Sequence, residues 1–277
     1  MIELTVTNKD GLVIPKLRYS YVKNYSTCPK MYLLSTTKPQ LVTPQAQNNM
    51  SRGNLFEFFV TGATSDPRDI NKVIKDNKGR FDGMQKKTVE KIKAMAIVTK
   101  RHILETYEAQ LVLHYDKDPR YIFESNIDLV SLVQFDQLNN GQPFAAIVDL
   151  KYTASIEEVW NNKSTKEDFL QSIIYVWQVY EATGKMLPFV YIVSQIMHDE
   201  VLIKPFLINV TKEDFAWFKE TYIERILSDK LFIPKATPTN CLGFRSTKGK
   251  CRYLNHCEDG KRLITSAQNF DFKDLEK

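Results

Sequence analysis

Three carboxylates and a lysine stand where their burial is costly unless they do chemistry. Asp149 and Lys151 flank Leu150 in the apolar run PFAAIVDLKY (143–152), and Asp128 lies in NIDLV, again among apolar residues. Side chains alternate along a strand, so Asp149 and Lys151 project from one face. A carboxylate within an apolar strand is expensive to bury unless it is paired or binds a cation. Glu57 supplies a third acid, with apolar neighbours Leu55, Phe56, Phe58 and Phe59 and with Gly53 one helical turn earlier, which predicts close packing or backbone approach there. Gln171 and Tyr175 are four apart and share a helix face, where a glutamine among apolar residues needs a polar partner. Such a set suits phosphodiester hydrolysis. Carboxylates hold Mg²⁺ or Mn²⁺, which neutralises a phosphate and activates a water. A nearby lysine can orient that water or stabilise developing negative charge. Asp-x-Lys alone is a common triplet and reads more readily as a solvent-exposed edge pair; the additional acids turn it into a candidate site.

The elements that must gather these residues are legible in outline. Segments 107–115, 121–136 and 143–152 are rich in β-branched and aromatic residues and predict strands. Asn139-Asn140-Gly141 predicts a tight turn that makes a hairpin of the last two. Ser164-x-x-Glu167 resembles a capping box ahead of a helix over 167–183, apolar almost all round and ended by Gly184. Strands over 187–196 and 201–210 and a helix over 212–228 follow. Upstream, 17–35 predicts helix broken at Pro29, and 51–62 a short apolar helix closed by Gly62. The Lys-rich stretch from about 65 to 105 predicts a helical insertion whose lysines form a solvated face or a DNA-backbone contact surface. The order predicts one α/β domain spanning 1–277, with a central mixed β-sheet flanked by helices.

Four cysteines are present: Cys28 stands alone, whereas Cys241, Cys251 and Cys257 fall close together near the other end. By count they suit an iron–sulfur cluster or a tetrahedral zinc site equally, and His256 leaves a Cys/His zinc arrangement open. Either would act as a clasp joining 20–35 to 235–262 across more than 200 residues. Tyr21, Tyr25 and Tyr32 beside it could stack on unpaired bases, and Arg245, Lys248, Lys250 and Arg252 could touch phosphates. His102 and His114 read as packing or surface residues.

Composition excludes little. Hydrophobic residues at 43% and charged residues at 26% are ordinary for a globular chain, and a net charge of +5 permits a polyanionic partner without requiring one. No apolar run is long enough for a membrane span. The opening MIELTVTNKDGLVI is not a secretory signal, which predicts an intracellular, cytoplasmic protein.

The ordered set Gly53-x-x-x-Glu57, Asp128, Asp149-Leu150-Lys151 and Gln171-x-x-x-Tyr175 resembles the PD-(D/E)xK nuclease superfamily. Its RecB-like branch, with the nuclease domain of AddB and the CRISPR-associated iron–sulfur exonucleases, is the nearest in pattern. The resemblance covers roughly residues 20–260 and implies a restriction-endonuclease-like core. It implies that Glu57, Asp128, Asp149 and the Leu150 carbonyl hold the divalent ion, that Lys151 is catalytic, and that Gln171 and Tyr175 support the site or contact DNA. It further implies that Cys28, Cys241, Cys251 and Cys257 hold a [4Fe–4S] cluster, with zinc as the other occupant. Two departures stand out: many relatives carry histidine where this chain has Glu57, and Cys241-x₉-Cys251 is longer than their C-x-x-C. The implied activity is a DNA nuclease, an exonuclease on ends or single strands, working alone or with a separate helicase, recombinase or integrase. The settings implied are recombination, CRISPR spacer handling, or virus-encoded replication or repair. A non-catalytic DNA-binding or assembly factor of the same fold and a zinc-clasped scaffold are the alternatives.

Overall fold

The β-branched and aromatic runs form strands, and the apolar helical runs cover the sheet that those strands make. The computed structural model describes residues 5–8, 10–37, 44–61, 86–153, 155–197, 200–229, 251, 253, 256–259, 261 and 262. Its elements begin with β1 (Thr5–Thr7), β2 (Val13–Leu17), α1 (Tyr19–Thr27), α2 (Pro29–Thr37), α3 (Pro44–Thr61) and α4 (Lys86–Lys100). Then come β3 (Ile103–Tyr115), β4 (Ile122–Val133), β5 (Phe144–Thr153), the short α5 (Ile156–Val159) and α6 (Leu170–Thr183). The chain continues through β6 (Phe189–Met197), β7 (Glu200–Ile208), α7 (Lys212–Phe218), a π-turn (Lys219–Ile223) and α8 (Glu224–Ser228). Where the sequence predicts one unit, two compact units form. The first is Met1–Val42, Lys117–Phe123 and Trp217–Lys277; the second is Thr43–Asp116 and Glu124–Ala216.

The second unit holds the mixed sheet. β4 pairs with β3 and, antiparallel, with β5; β5 pairs parallel with β6, and β6 antiparallel with β7. The parallel β5–β6 step needs a crossover, which α5 and α6 supply. α3 and α4 cover one face: Leu55, Phe56, Phe59 and Val60 join Val89, Ile92, Met95 and Ala96 over Leu129, Val148, Val190 and Ile192. α4 therefore belongs to the core and is not an inserted lobe. Its apolar residues recur at helical spacing and form one stripe, while Lys86 and Lys87 stay exposed. Residues 62–85, the rest of that Lys-rich stretch, lie outside the described residues, as does Gly62. The helix predicted over 51–62 starts earlier, at Pro44, because proline is favoured in a first helical turn even where the following residues lack an apolar stripe.

Local signals elsewhere hold with small shifts of register. Asn139, Asn140 and Gly141 all take positive φ (50°, 53° and 73°), which asparagine and glycine tolerate best, and they close the β4–β5 hairpin. α6 starts at Leu170, three residues later than predicted and with no side-chain cap; in the turn before it Asp168 accepts from the Thr165 hydroxyl (2.9 Å) and from the Ser164 and Thr165 N–H groups (both 3.2 Å). Gly184 ends α6 at φ 72°, and a Cβ there meets nothing within 4 Å among the described residues. Gly184→Ala thus isolates the backbone cost. It is expected to destabilise by about 1–2 kcal/mol, read as a thermal midpoint lower by a few degrees.

In the first unit, β1 and β2 form a small antiparallel pair, and β2 runs parallel to the opening of β4 through Lys16–Ile122 and Leu17–Phe123. Neither strand is apparent in the sequence, since both are short and β2 finds its partner a hundred residues away. The break at Pro29 is as predicted. Cys28 is extended (φ −163°, ψ 122°), Pro29 opens α2, and the Cys28 carbonyl accepts the Met31 and Tyr32 N–H groups. Among the described residues no helix is long and apolar enough to cross a membrane.

Candidate functional site

Strand alternation sorts β5 into two sets. Ala146, Val148 and Leu150 lie in the cluster under α3 and α4. Asp149 and Lys151 project from the other face, where α6 packs its Tyr175 ring 6.2 Å from Phe189 of β6. There Gln171 Nε2 donates to Asp149 Oδ1 at 2.6 Å and lies 3.1 Å from the Tyr175 hydroxyl, so the polar partner demanded by Gln171 is Asp149 itself. Lys151 Nζ stands 2.5 Å from Asp149 Oδ2. Asp149 is 1% exposed, whereas the Lys151 side chain keeps 34% of its surface, so the pair has a buried acidic end and a wetter cationic end.

Asp128 joins them from β4. The backbone ladder between β4 and β5 ends at Leu129–Val148, and the Leu150 N–H beyond it donates to Asp128 Oδ2 at 2.8 Å. Burial pushes the Asp128 carboxyl well above the usual carboxylate range. The negative charges of Asp149 and Glu57 push it further, against the opposing pull of Lys151 and the Leu150 N–H. Burial raises Asp149 too, opposed by Lys151 and Gln171. Glu57, from α3, accepts a 2.7 Å hydrogen bond at Oε1 from Gln110 Nε2, and Gln110 Oε1 accepts from Asn126 Nδ2 at 3.2 Å.

The second unit thus brings together Glu57, Asp128, Asp149, Lys151, Gln171 and Tyr175, drawn from α3, β4, β5 and α6. Leu150 contributes its N–H to Asp128, while its side chain is core. Among the described residues no group of three or more His, Cys, Asp or Glu side chains is arranged so that it could hold a metal ion. In this arrangement Asp149 is engaged by Lys151 and Gln171, Asp128 by the Leu150 N–H and Glu57 by Gln110. The donor chemistry nevertheless suits a hard divalent cation. Three carboxylates of one cluster gain from a positive charge among them: Asp128 is driven toward its neutral form by burial and by the charges of Asp149 and Glu57, and Asp149 by burial.

Several expectations change. Gly53 is not at a close approach, since a Cβ there meets nothing within 4 Å among the described residues. Tyr21, Tyr25 and Tyr32 are buried, with Tyr32 edge-on to both others at 6.3 and 6.1 Å, so they build the first unit and do not present faces to bases. Tyr25 donates to Asp229 at 3.0 Å, and burial with this bond pushes its phenol up to about 12. His102 packs, stacked 4.4 Å from Phe135, and His114 stands on the surface 3.5 Å from Glu124. Gln110 and Asn126 carry no signal in the sequence, being amides within ordinary strand patterns.

In the first unit Cys251 and Cys257 pack with Tyr253 against Met31 and Leu34 of α2, the helix that opens directly after Cys28. Cys241, Arg245, Lys248, Lys250 and Arg252 lie outside the described residues.

No family model matches the chain, and no curated protein matches it. Among solved structures it is similar to a candidate exonuclease from Eubacterium rectale, with a TM-score of 0.52 and 16% identity, over 76% of this chain and 80% of that one. At that identity the likeness is one of fold: a mixed α/β sheet flanked by helices.

Proposed function

We propose that this chain is a divalent-metal-dependent deoxyribonuclease, an exonuclease acting on DNA ends or single strands. The observation that carries the reading is the buried Asp149, held by Gln171 on one oxygen and Lys151 on the other, beside Asp128. The fold likeness to a candidate exonuclease supports it.

Glu57, Asp128 and Asp149, with the Leu150 carbonyl, would hold Mg²⁺ or Mn²⁺. When bound, the ion neutralises phosphate charge and lowers the pKa of a water. The chain's own residues do the rest. Gln171 and the Leu150 N–H fix two carboxylates in place, so that little reorganisation remains for the reaction. Lys151, tethered at Asp149 but partly exposed, presents its ammonium to the scissile phosphate and stabilises the charge that develops on its oxygens. Cys28, Cys251 and Cys257, with Cys241, would hold a [4Fe–4S] cluster, or zinc, as a structural clasp. DNA is the proposed partner, and a separate helicase, recombinase or integrase would deliver ends to a chain of this kind.

Purified protein is to be incubated with end-labelled single- and double-stranded DNA in Mn²⁺ or Mg²⁺, with and without EDTA. Nucleotide release that EDTA abolishes is the expected result; failure to cut any substrate in either metal overturns the reading. Anaerobically purified protein is expected to be brown with a broad visible band. Colourless protein containing stoichiometric zinc replaces the cluster with zinc.

A further inference from the structure

Gln110 occupies the centre of β3 with φ 53°; among the described residues, the other non-glycine residues with positive φ are the turn residues Asn139 and Asn140. An L-residue avoids this conformation, and a regular strand has no need of it, so something beyond sheet pairing selects it. Its hydrogen bonds say what. The Gln110 amide donates to Glu57 Oε1 on α3 (2.7 Å) and accepts from Asn126 Nδ2 on β4 (3.2 Å). Asn126 is two residues before Asp128, on the same face of β4. The amide therefore ties the acid on the helix to the strand that carries the second acid.

We infer that Gln110 is a positioning residue for the proposed cation site, a strut that fixes the Glu57 carboxylate relative to Asp128, with Asn126 fixing the strut in turn. The inference rests on the reading of Glu57 and Asp128 as ligands. A neutral amide is the fitting donor for this task. A lysine or arginine here would neutralise the carboxylate, whereas an amide orients it and leaves its full charge for a cation. The left-handed backbone is the means by which one glutamine in a strand meets partners on two different elements.

The test separates side chain from backbone. Gln110→Gly and Gln110→Asn both accept the left-handed conformation, but the first has no amide and the second is one methylene too short to span both partners. Mn²⁺ binding to the full chain without DNA is measured by titration calorimetry and Mn²⁺ electron paramagnetic resonance, beside Glu57→Gln and Asp128→Asn. Both Gln110 variants are expected to bind Mn²⁺ roughly 10–100-fold more weakly than wild type. Their half-saturating Mn²⁺ for DNA digestion should rise in parallel, with kcat at saturating Mn²⁺ largely retained. A lowered melting midpoint with unchanged Mn²⁺ affinity would make Gln110 merely structural and overturn the inference. So would wild-type affinity in both Gln110 variants while Glu57→Gln is weakened, an outcome that leaves the proposed site standing. If wild type itself binds no Mn²⁺, or Glu57→Gln and Asp128→Asn bind it as tightly as wild type, the site reading fails and the strut fails with it.

Discussion

Asp149→Ala should reduce nucleotide release from end-labelled DNA by on the order of 10³-fold or more at saturating Mn²⁺, with the fold retained. The substitution removes more than a ligand. Lys151 loses the oxygen 2.5 Å from its ammonium, and Gln171 loses the acceptor at 2.6 Å that fixes its amide. The lysine is partly exposed and can rehydrate. The glutamine is buried and keeps the Tyr175 hydroxyl at 3.1 Å, but the N–H that served Asp149 loses its acceptor, at a cost of about 1–3 kcal/mol. Against that, the variant no longer buries a carboxylate that the fold disfavours in its charged form. Stability should therefore change little while activity disappears. Circular dichroism melting beside the digestion assay checks both halves. Equal rates for wild type and variant would exclude Asp149 from the chemistry.

Asp128→Asn separates stability from activity still further. Its carboxyl lies above the ordinary value of 3.8 because burial, then the charges of Asp149 and Glu57, disfavour the anion. A group whose folded pKa is raised costs nothing below its unfolded pKa, where both states are protonated. It destabilises progressively as pH climbs from there through the folded pKa, and the loss then stays constant. The metal-free wild type should accordingly lose stability relative to Asp128→Asn as pH rises above the ordinary carboxylate range. In EDTA at neutral or mildly alkaline pH the variant should melt higher, by roughly 2–4 °C for each kcal/mol relieved. In Mn²⁺ the order should reverse, because wild type gains binding energy that the variant forgoes. Nuclease activity of the variant should fall on the order of 10³-fold. Melting curves across pH, in EDTA and in Mn²⁺, provide the check. A variant that melts below wild type in EDTA at pH 8 would contradict the buried-charge argument.

Local patterns carried most of the outline. Alternation in PFAAIVDLKY placed Asp149 and Lys151 on one face, and the i, i+4 relation of Gln171 and Tyr175 placed them together on α6. The hairpin at Asn139–Gly141 and the break at Pro29 were legible because the backbone there admits few residue types. What escaped depends on distant pairing. β2 is a strand because it meets Ile122 and Phe123, and no window of fifteen residues contains that partner. Gln110 looked like any strand glutamine, since neither its left-handed backbone nor its bonds to Glu57 and Asn126 follow from its own preference. The Lys-rich stretch misled for a different reason: its lysines suggested a lobe, although the apolar stripe of Val89, Ile92 and Ala96 already spelled a core helix. Gly53 misled because a glycine near an acid invites a packing explanation, and no described atom lies within 4 Å of a Cβ placed there.

The Tyr25–Asp229 hydrogen bond closes a separation of 204 residues in the chain. A ribosome adds about 5–20 residues per second, so α1 waits roughly 10–40 s for this partner to be made. The second unit draws on Thr43–Asp116 and Glu124–Ala216, so its last residue is made before the closing segment of the first unit, Trp217–Lys277. During synthesis the residues of the proposed site can assemble while Tyr21, Tyr25 and Tyr32, destined for burial, are still without the last part of their unit. A nascent chain that has reached Ala216 carries every residue of the proposed site and still lacks Trp217–Lys277 of the unit to which those rings belong.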